Sequence, residues 1–380
     1  MLSEPTYLPA RMVASEIEAH FKQHQQEAKR NAGGNVASAP DNHIIEAVID
    51  ITFWASMRRE EGHSPNISLA LLQPSQSDKP LMFGEQLRLT PQNLIKLAPA
   101  VEQPGIHLGV WPDGDDLFIW GTTHSVPALC FVLEVIEPGL LVIKHRRVDG
   151  FGKYVNVAVL QGDQIKVLDE NTMGIADCPA LIKSLQSMPL PTYMGESFSV
   201  LVQLAASMRL HKRGGLVFIV PSGSEKWRDS IVQPVKYPVE PPYTAINDLM
   251  LRKASAADKL EWRESLLEAI DLIGGFTAVD GATIITDKYD LLAFGAKAAR
   301  AEHSHPVGEI IMTEPVADGR ARRVHPAQNG GSRHLAAAQF VSDQHDAIAL
   351  VASQDGQFTV FAWSPQVGIV HAHRIDVLLL

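Results

Sequence analysis

The chain has few cysteines and no long run of positive charge. Cys130 and Cys178 are its only cysteines in 380 residues, and both stand among apolar neighbours. A secreted chain of this size usually carries more cysteine, so the sequence favours buried, reduced thiols in a cytoplasmic protein. Acidic residues outnumber Lys plus Arg by 43 to 33. This balance argues against a general nucleic-acid or anionic-membrane surface and is more consistent with a small polyanion, such as a nucleotide, as ligand.

The sequence also lacks a long uninterrupted apolar segment. Its longest apolar run, residues 128–143, is broken by two glutamates, a proline and a glycine, and is too short to span a bilayer. The opening Met1-Leu2-Ser3-Glu4-Pro5 contains an acid and a proline where a basic segment would begin a signal peptide, so we expect none. These absences predict a soluble cytoplasmic protein.

Length and pattern predict two folded domains. A chain of 380 residues normally holds two or three domains. Residues 1–42 predict a polar helix followed by a linker, and residues 43–188 predict a small α+β domain of short apolar strands between turn residues. Prolines close to residue 190 mark a boundary, and residues 195–378 predict a second domain of mixed α/β class.

One segment of the second domain is typical of a phosphate-binding turn. Asn329-Gly330-Gly331-Ser332-Arg333-His334 leads into an alanine-rich stretch with high helix propensity. Glycines let a backbone approach an anion closely, and the first turn of a helix presents unpaired amides. Ser332 is predicted to cap this helix. Arg333 adds a planar fork of donors that suits phosphate oxygens.

A second segment, about fifty residues earlier, places a carboxylate among apolar residues. The strand pattern from Phe276 to Ile285 contains Asp280-Gly281-Ala282. A charge among such neighbours usually has a cation to meet. A helix predicted over residues 259–273 ends at Gly274-Gly275 and leads into this strand, and a hairpin follows it. From these residues alone, the favoured interpretation is that Asp280 simply closes a tight turn ahead of a strand.

The two segments, in this order, resemble the catalytic domain of bacterial diadenylate cyclases. The signatures of that family are Asp-Gly-Ala and Gly-Thr-Arg-His-Arg, and the resemblance covers residues 195 to 375, including an apolar strand that ends at Ser353-Gln354-Asp355-Gly356. A looser resemblance links Trp54 to Gly62 and Ile119-Trp120-Gly121 to a sensor domain found in front of some cyclase domains.

The resemblance implies a fold, a reaction and a set of site residues. The fold would be a central mixed sheet flanked by helices, and the reaction would join two ATP molecules into cyclic di-AMP with Mn²⁺ or Mg²⁺. Each domain would bind one ATP, so a homodimer or larger assembly with face-to-face catalytic domains is implied. The implied catalytic residues are Asp280, Gly281 and Ala282; the nucleotide and phosphate would be bound by Gly331, Ser332, Arg333, His334 and Ser353; the metal would be held by Asp280 and Asp355.

Three departures from the family pattern keep a second hypothesis open. Leu335 stands in place of the second arginine, Ser332 in place of threonine, and Gln354 in place of an acid in a shorter turn. The alternative is therefore a catalytically silent domain that binds ATP or a cyclic dinucleotide, or a cyclase with altered nucleotide choice. The signal read by residues 43–188 is not evident from the sequence.

A third hypothesis, a metal hydrolase, would depend on His371-Ala372-His373. Both rings would point to one face of a strand, as metal ligands can. No third ligand stands at a convincing spacing. The pair is therefore predicted to be two ordinary surface histidines.

Overall fold

We describe a computed structural model of the chain, which covers residues 5–31, 36–59, 62–77, 79–148, 154–168, 200–252, 259–316 and 321–379. The chain divides into two compact units, residues 1–169 and 170–379, and each is described by itself. The described residues of each unit combine helices with a mixed β-sheet, in agreement with the predicted α/β class. The predicted domain boundary and Cys178 lie outside the described residues.

The first unit packs helices against an eight-stranded sheet. Its helices are α1 (Leu8–Asn31), α2 (Asn42–Ser56) and α3 (Pro91–Leu97). Its strands are β1 (Ser68–Leu71), β2 (Leu81–Arg88), β3 (His107–Asp113), β4 (Asp116–Thr123), β5 (Phe131–Glu137), β6 (Leu140–Arg146), β7 (Tyr154–Gln161) and β8 (Gln164–Val167). They are hydrogen-bonded in the order β2-β4-β3-β1-β5-β6-β7-β8, and the β1–β3 pair is parallel.

The helix α1 belongs to the core of the first unit, although the sequence analysis set residues 1–42 apart. Val13, Ile17 and Phe21 recur every four residues along α1 and are fully buried among residues of α2 and the sheet. The apolar stripe looks thin in the sequence because alanine fills part of it. Small side chains let the helix lie close to its neighbours, so a narrow stripe suffices for packing.

The second unit is built around a nine-stranded sheet. Its helices are α4 (Val200–Leu210), α5 (Ala245–Leu251), α6 (Lys259–Phe276) and α7 (Ser332–Asp343). Its strands are β9 (Gly215–Val220), β10 (Tyr237–Tyr243), β11 (Ala282–Thr286), β12 (Leu291–Ala296), β13 (Ile310–Thr313), β14 (Arg322–Val324), β15 (Ile348–Ala352), β16 (Phe358–Ser364) and β17 (Ile369–Arg374). They are hydrogen-bonded in the order β10-β12-β11-β9-β15-β16-β17-β13-β14.

The two faces of this sheet have separate cores, and β9 contributes to both. Its residues are all buried and alternate between the faces. Val217 and Ile219 pack with α4, α5 and α6, whereas Phe218 packs under α7. The Phe218 ring stacks on that of Phe340 with centroids 3.7 Å apart. Central strands buried on both faces read as continuous apolar runs, as β9 does.

The hairpin predicted to follow the Asp280 strand is confirmed by the antiparallel pairing of β11 and β12, but two neighbouring predictions are wrong. α6 continues through Gly274-Gly275 and ends at Phe276, and the strand starts only at Ala282. Glycine weakens a helix without forbidding it, and here α6 packs closely enough that a Cβ at Gly274 would lie 2.2 Å from Ser207 Oγ. Asp280 therefore lies in the turn between helix and strand.

The long segment between β12 and α7 contains two strands that the sequence pattern does not reveal. The sequence shows no period between residues 298 and 330, yet β13 and β14 pair there and β13 joins the sheet alongside β17. Strands of three or four residues are too short to display a period. The proline-rich segment before α5 forms the edge strand β10. Among the described residues, no helix is both long and apolar enough to cross a membrane.

Removing the Phe218 ring should destabilise the second unit. Phe218→Ala deletes a buried, stacked aromatic side chain and leaves a cavity under α7, which typically costs about 3 to 5 kcal/mol. Urea unfolding followed by circular dichroism will measure the loss. Leu272→Ala on α6 is the control, because its side chain is 48% exposed and its removal should cost about 0.5 kcal/mol or less. Equal losses for the two variants would contradict the description of this core.

Candidate functional site

Three chain segments that carry predicted site residues meet at one edge of the sheet in the second unit. β9 and β11 are parallel, with Val217 opposite Thr283, so both begin at this edge. β15 is antiparallel to β9, with Ala352 opposite Gly215, so it ends there. Neighbouring strands lie about 4.8 Å apart, which puts the start of β11 and the end of β15 about 10 Å apart. The turn with Asp280 and the turn with Asp355 are therefore neighbours.

The turn before β11 holds the Asp280 carboxylate in an exposed position. Asp280 is solvent-exposed, and its side chain has no hydrogen-bond or ion-pair partner among the described residues. Gly281 has φ +112°, and a Cβ there would lie 2.5 Å from the carbonyl carbon of Gly295. Only glycine fits this close approach. Gly281 thus fixes the turn, while Ala282 is buried as the first residue of β11.

Arg333 lies beside the start of β9 and the end of β15. Its Nη2 donates to the carbonyl oxygen of Arg213 at 3.4 Å. A Cβ on Gly214 would lie 2.8 Å from Arg333 Nη1 and 3.2 Å from the carbonyl oxygen of Ala352. Gln354 Nε2 donates to the same Arg213 carbonyl at 3.4 Å. Gln354 therefore has a structural contact next to Arg333.

A chain of hydrogen bonds continues from Arg213 to the turn before Asp280. The Arg213 amide donates to His211 Nδ1 at 3.2 Å. His211 Nε2 lies 3.0 Å from Thr277 Oγ1, which itself donates to the carbonyl oxygen of Gly274 at 2.6 Å. Since Nδ1 accepts, Nε2 carries the proton and donates to Thr277. Burial and the charges of Arg213 and Arg333 lower the pKa of His211, which favours this neutral form.

Neither His211 nor Thr277 was identified from the sequence. His211 follows α4 directly, and Thr277 is the first residue after α6. They meet because α4 and α6 pack side by side, with Met208 and Ile273 in one core. The one available signal was a polar residue just past each helix end, which is too common to single out a pair.

The start of α7 differs from the prediction in its cap and in the position of the imidazole. Gly331 occupies the N-cap position and no side chain caps the helix, so Ser332 is the first helical residue and is exposed. His334 is 3% exposed and packs so closely that a Cβ on Gly330 would lie 2.3 Å from its Nδ1. Burial, together with the nearby charge of Arg374, lowers the pKa of His334 to about 4. The neutral ring packs against Gly330 and thereby supports the glycine turn.

Ser353 and Asp355 form a compact turn at the end of β15. The hydroxyl of Ser353 donates to the Asp355 carboxylate and accepts from the Gln357 amide at 3.0 Å. The Ser353 amide donates to the Gln357 carbonyl at 2.9 Å. Asp355 is exposed and lies near enough to His334 to oppose the lowering of its pKa. This turn joins β15 and β16, which pair antiparallel, and the apolar strand predicted to end at Ser353 is β15.

The donor chemistry at this edge fits a hard divalent cation. Mg²⁺ and Mn²⁺ prefer oxygen ligands and are often held by one or two carboxylates together with phosphate oxygens and water. Asp280 and Asp355 offer exposed carboxylates of this kind. No group of three His, Cys, Asp or Glu side chains placed to hold a metal occurs in the part of the chain that the structure describes. Any cation held by these two carboxylates would need further ligands from substrate phosphates or water.

The histidine pair on β17 is buried, not on the surface as predicted. His371 is 7% exposed and His373 is 2% exposed. Both lie within hydrogen-bond distance of Thr313 Oγ1, His371 Nε2 at 3.1 Å and His373 Nδ1 at 2.8 Å. Pairing of β13 with β17 creates this contact, which the sequence could not show because β13 lies in the segment without a period.

The first unit has a polar cluster on the sheet face opposite its helices. Tyr154 Oη lies 3.0 Å from His107 Nε2, and His107 Nδ1 lies 2.7 Å from Ser68 Oγ. Ser68 Oγ donates to Glu134 at 3.3 Å, and Glu134 forms a 2.6 Å ion pair with Lys144. A carboxylate only accepts, so Ser68 donates to Glu134, His107 Nδ1 donates to Ser68, and Tyr154 donates to His107 Nε2.

This polar cluster shows that the sheet is strongly curved. His107 is on β3 and Tyr154 is on β7, four strands away in the hydrogen-bonded order. Four strand spacings amount to about 19 Å in a flat sheet, which two side chains cannot span. Their direct contact means that the sheet curls around the cluster. His107 is fully buried, and this burial lowers its pKa to about 4, so the ring is neutral at pH 7.

Comparison with known proteins identifies a domain in the first unit. Residues 34–124 match the family model described as "Probable sensor domain DACNV", a sensor type that precedes diadenylate cyclase domains. The predicted resemblance of this region to a sensor domain is thereby confirmed. The match runs from just before α2 to the end of β4, and it includes Ser68 and His107 of the polar cluster. No curated protein matches the chain.

Substitution of Gly281 should distort the turn that carries Asp280. Gly281→Ala adds a Cβ at φ +112° that clashes with Gly295, and such strain costs about 1 to 3 kcal/mol. Gly275→Ala is the matched control, because a Cβ there meets nothing within 4 Å and alanine favours the helix. The midpoints of urea unfolding should fall for the first variant and stay level or rise for the second. Tolerance of Gly281→Ala would rule out the close approach described here.

His107 should make the first unit less stable in acid. Its folded pKa of about 4 lies below the 6.5 that is ordinary for histidine, so the stabilisation is complete above pH 6.5 and is lost as the pH falls towards 4. His107→Gln should lower stability at pH 7 and flatten the pH dependence between pH 6.5 and 4. Unfolding midpoints across this range test it, with His124→Gln at an exposed position as control. An unchanged slope in His107→Gln would contradict a buried neutral ring.

Proposed function

We propose that the chain is a sensor-regulated diadenylate cyclase that condenses two ATP molecules into cyclic di-AMP and releases two pyrophosphates. The observation that carries this proposal is the meeting of the Asp280 turn, Arg333 and the Ser353–Asp355 turn at one sheet edge. The sensor-family match in the first unit supports it from a separate part of the chain. The segments that motivated the resemblance are far apart in sequence, so a shared edge is not a trivial consequence of the fold.

The residues at this edge have distinct roles in the proposed reaction. Each ribose 3′-hydroxyl attacks the α-phosphate of the other ATP, and pyrophosphate leaves. Such transfers depend on positioning and on neutralisation of phosphate charge. The Gly331 turn and the amides of α7 face the phosphates, and Arg333 binds phosphate oxygens through its guanidinium. Asp280 accepts the proton of the attacking hydroxyl or orients that hydroxyl.

Asp280 and Asp355 would hold Mg²⁺ or Mn²⁺ in this site. When bound, the cation neutralises phosphate charge and lowers the pKa of the attacking hydroxyl. The Asp280 carboxylate suits this role because it is exposed and unpartnered among the described residues, whereas Asp355 is held in place by the Ser353 hydroxyl.

The resemblance to the cyclase family, in which one domain binds one ATP, implies that two copies of the chain act together. One site binds one ATP, and each ATP supplies both an attacking hydroxyl and a leaving pyrophosphate. Two sites must therefore face each other, so the proposal includes a homodimer or a larger assembly, with the sensor unit receiving an unidentified small-molecule or protein signal.

A silent nucleotide-binding domain is the second candidate, and the side chain after His334 favours it. Leu335 is 41% exposed and carries no charge where the resembling family has an arginine. The family's arginine would contact the phosphate, and its loss removes one positive charge from the site. If that contact tightens during the reaction, the loss weakens transition-state stabilisation more than it weakens ground-state binding. In this case the domain binds ATP or the cyclic dinucleotide without turnover.

Purified protein incubated with ATP and Mn²⁺ or Mg²⁺ should form cyclic di-AMP, detected by chromatography and mass spectrometry. Asp280→Asn should reduce product at least 100-fold because the hydroxyl loses its carboxylate, while the unfolding midpoint stays unchanged. Asp346→Asn, at the opposite end of β15 and also exposed, is the matched control and should retain activity. ATP binding without product would favour the silent domain, and neither binding nor product would refute both candidates.

A further inference from the structure

Two buried donors beneath the glycine turn of α7 have no hydrogen-bond partner among the described residues. They are Asn329 Nδ2 and Arg374 Nε. Asn329 is 2% exposed and directly precedes Gly330-Gly331. Buried donors of this kind are rare in folded proteins because each has lost its hydration without compensation. Their position next to a helix start makes them available donors for a bound acceptor.

The two residues are joined to each other and to the turn. Arg374 Nη2 donates to Asn329 Oδ1 at 3.2 Å. Arg374 is the last residue of β17 and lies opposite Thr359, the second residue of β16. Thr359 Oγ1 in turn lies 3.5 Å from His334 Nε2. Arg374 is also close enough to His334 to lower the pKa of that ring.

Arg374 therefore reaches the phosphate-binding turn from the sheet side, whereas Arg333 reaches the same edge from α7. β16 begins and β17 ends at the edge where β15 ends, so Arg374 lies at the edge that carries the candidate site. No described carboxylate forms an ion pair with Arg374. A guanidinium with one contact to an amide oxygen keeps donors available for a further acceptor.

We propose that Arg374 and Asn329 form a second phosphate-binding subsite under the start of α7, with Arg374 supplying the positive charge that Leu335 lacks. This inference rests on the proposed function. The ligand class is the polyphosphate of a nucleotide: Arg374 donates to a non-bridging phosphate oxygen, and Asn329 Nδ2 donates to the same phosphate group.

Binding measurements on the full-length chain with Mg²⁺-ATP, pyrophosphate and adenosine test the subsite. Arg374→Met should weaken ATP and pyrophosphate binding by about 10- to 100-fold, the range for a hydrogen bond to a charged group, and should leave adenosine binding unchanged. Arg374→Lys should fall between, because lysine keeps the charge but not the fork. Arg228→Met is the control, since Arg228 pairs with Glu225 beyond the opposite end of β9.

The outcomes separate this inference from the proposed function. If wild-type protein binds ATP and Arg374→Met binds it equally well, the subsite is refuted and the proposed function stands. An equal loss of ATP and adenosine binding would show that Arg374 only supports the turn, which also refutes the subsite. If Arg374→Met does not fold by circular dichroism, Arg374→Lys decides: wild-type affinity for pyrophosphate refutes the inference, and reduced affinity with unchanged adenosine binding supports it. Wild-type protein that binds no probe would refute both.

Discussion

The pairing of β9 with β11 on one side and β15 on the other is the constraint on which the second unit depends. Because one pairing is parallel and the other antiparallel, the strands bring two beginnings and one end to a single edge. All six residues of β9 are buried, so the register is fixed by packing on both faces. Loops that carry Asp280 and Asp355 inherit their positions from this register.

Charge is distributed unevenly around that edge. Asp280 is exposed in the turn before β11. Arg333 donates a hydrogen bond to the Arg213 carbonyl oxygen, and Arg374 donates one to Asn329. Positive groups thus approach the α7 start from two directions, and the helix amides add partial positive charge. The neutral forms of His211 and His334 avoid further repulsion among these cations, and they act as hydrogen-bonding or packing groups instead. Such an arrangement favours a polyanion with its own cation over a neutral ligand.

Sequence patterns identified what depends on neighbours along the chain. The hairpins and the α7 start follow from turn residues and helix propensity, and β9 follows from an apolar run. The end of α6 was misplaced because glycine signals a helix end only when no tertiary packing overrides it. His211, Thr277 and Arg374 escaped notice because their contacts join residues 66 and 45 positions apart. In the first unit, the polar cluster assembles from five strands, which no local pattern can show.

The two outermost strands of the nine-stranded sheet, β10 and β14, also limit how this unit can associate. β10 contains Pro238, Pro241 and Pro242, which have no amide hydrogen to offer a neighbouring strand. The outermost strand on the other side, β14, is only three residues long and begins with two exposed arginines. Both borders therefore resist the strand-to-strand addition that leads to aggregation. Self-association of this unit is therefore expected to use side-chain surfaces or loops, and further strand pairing is disfavoured at both edge strands.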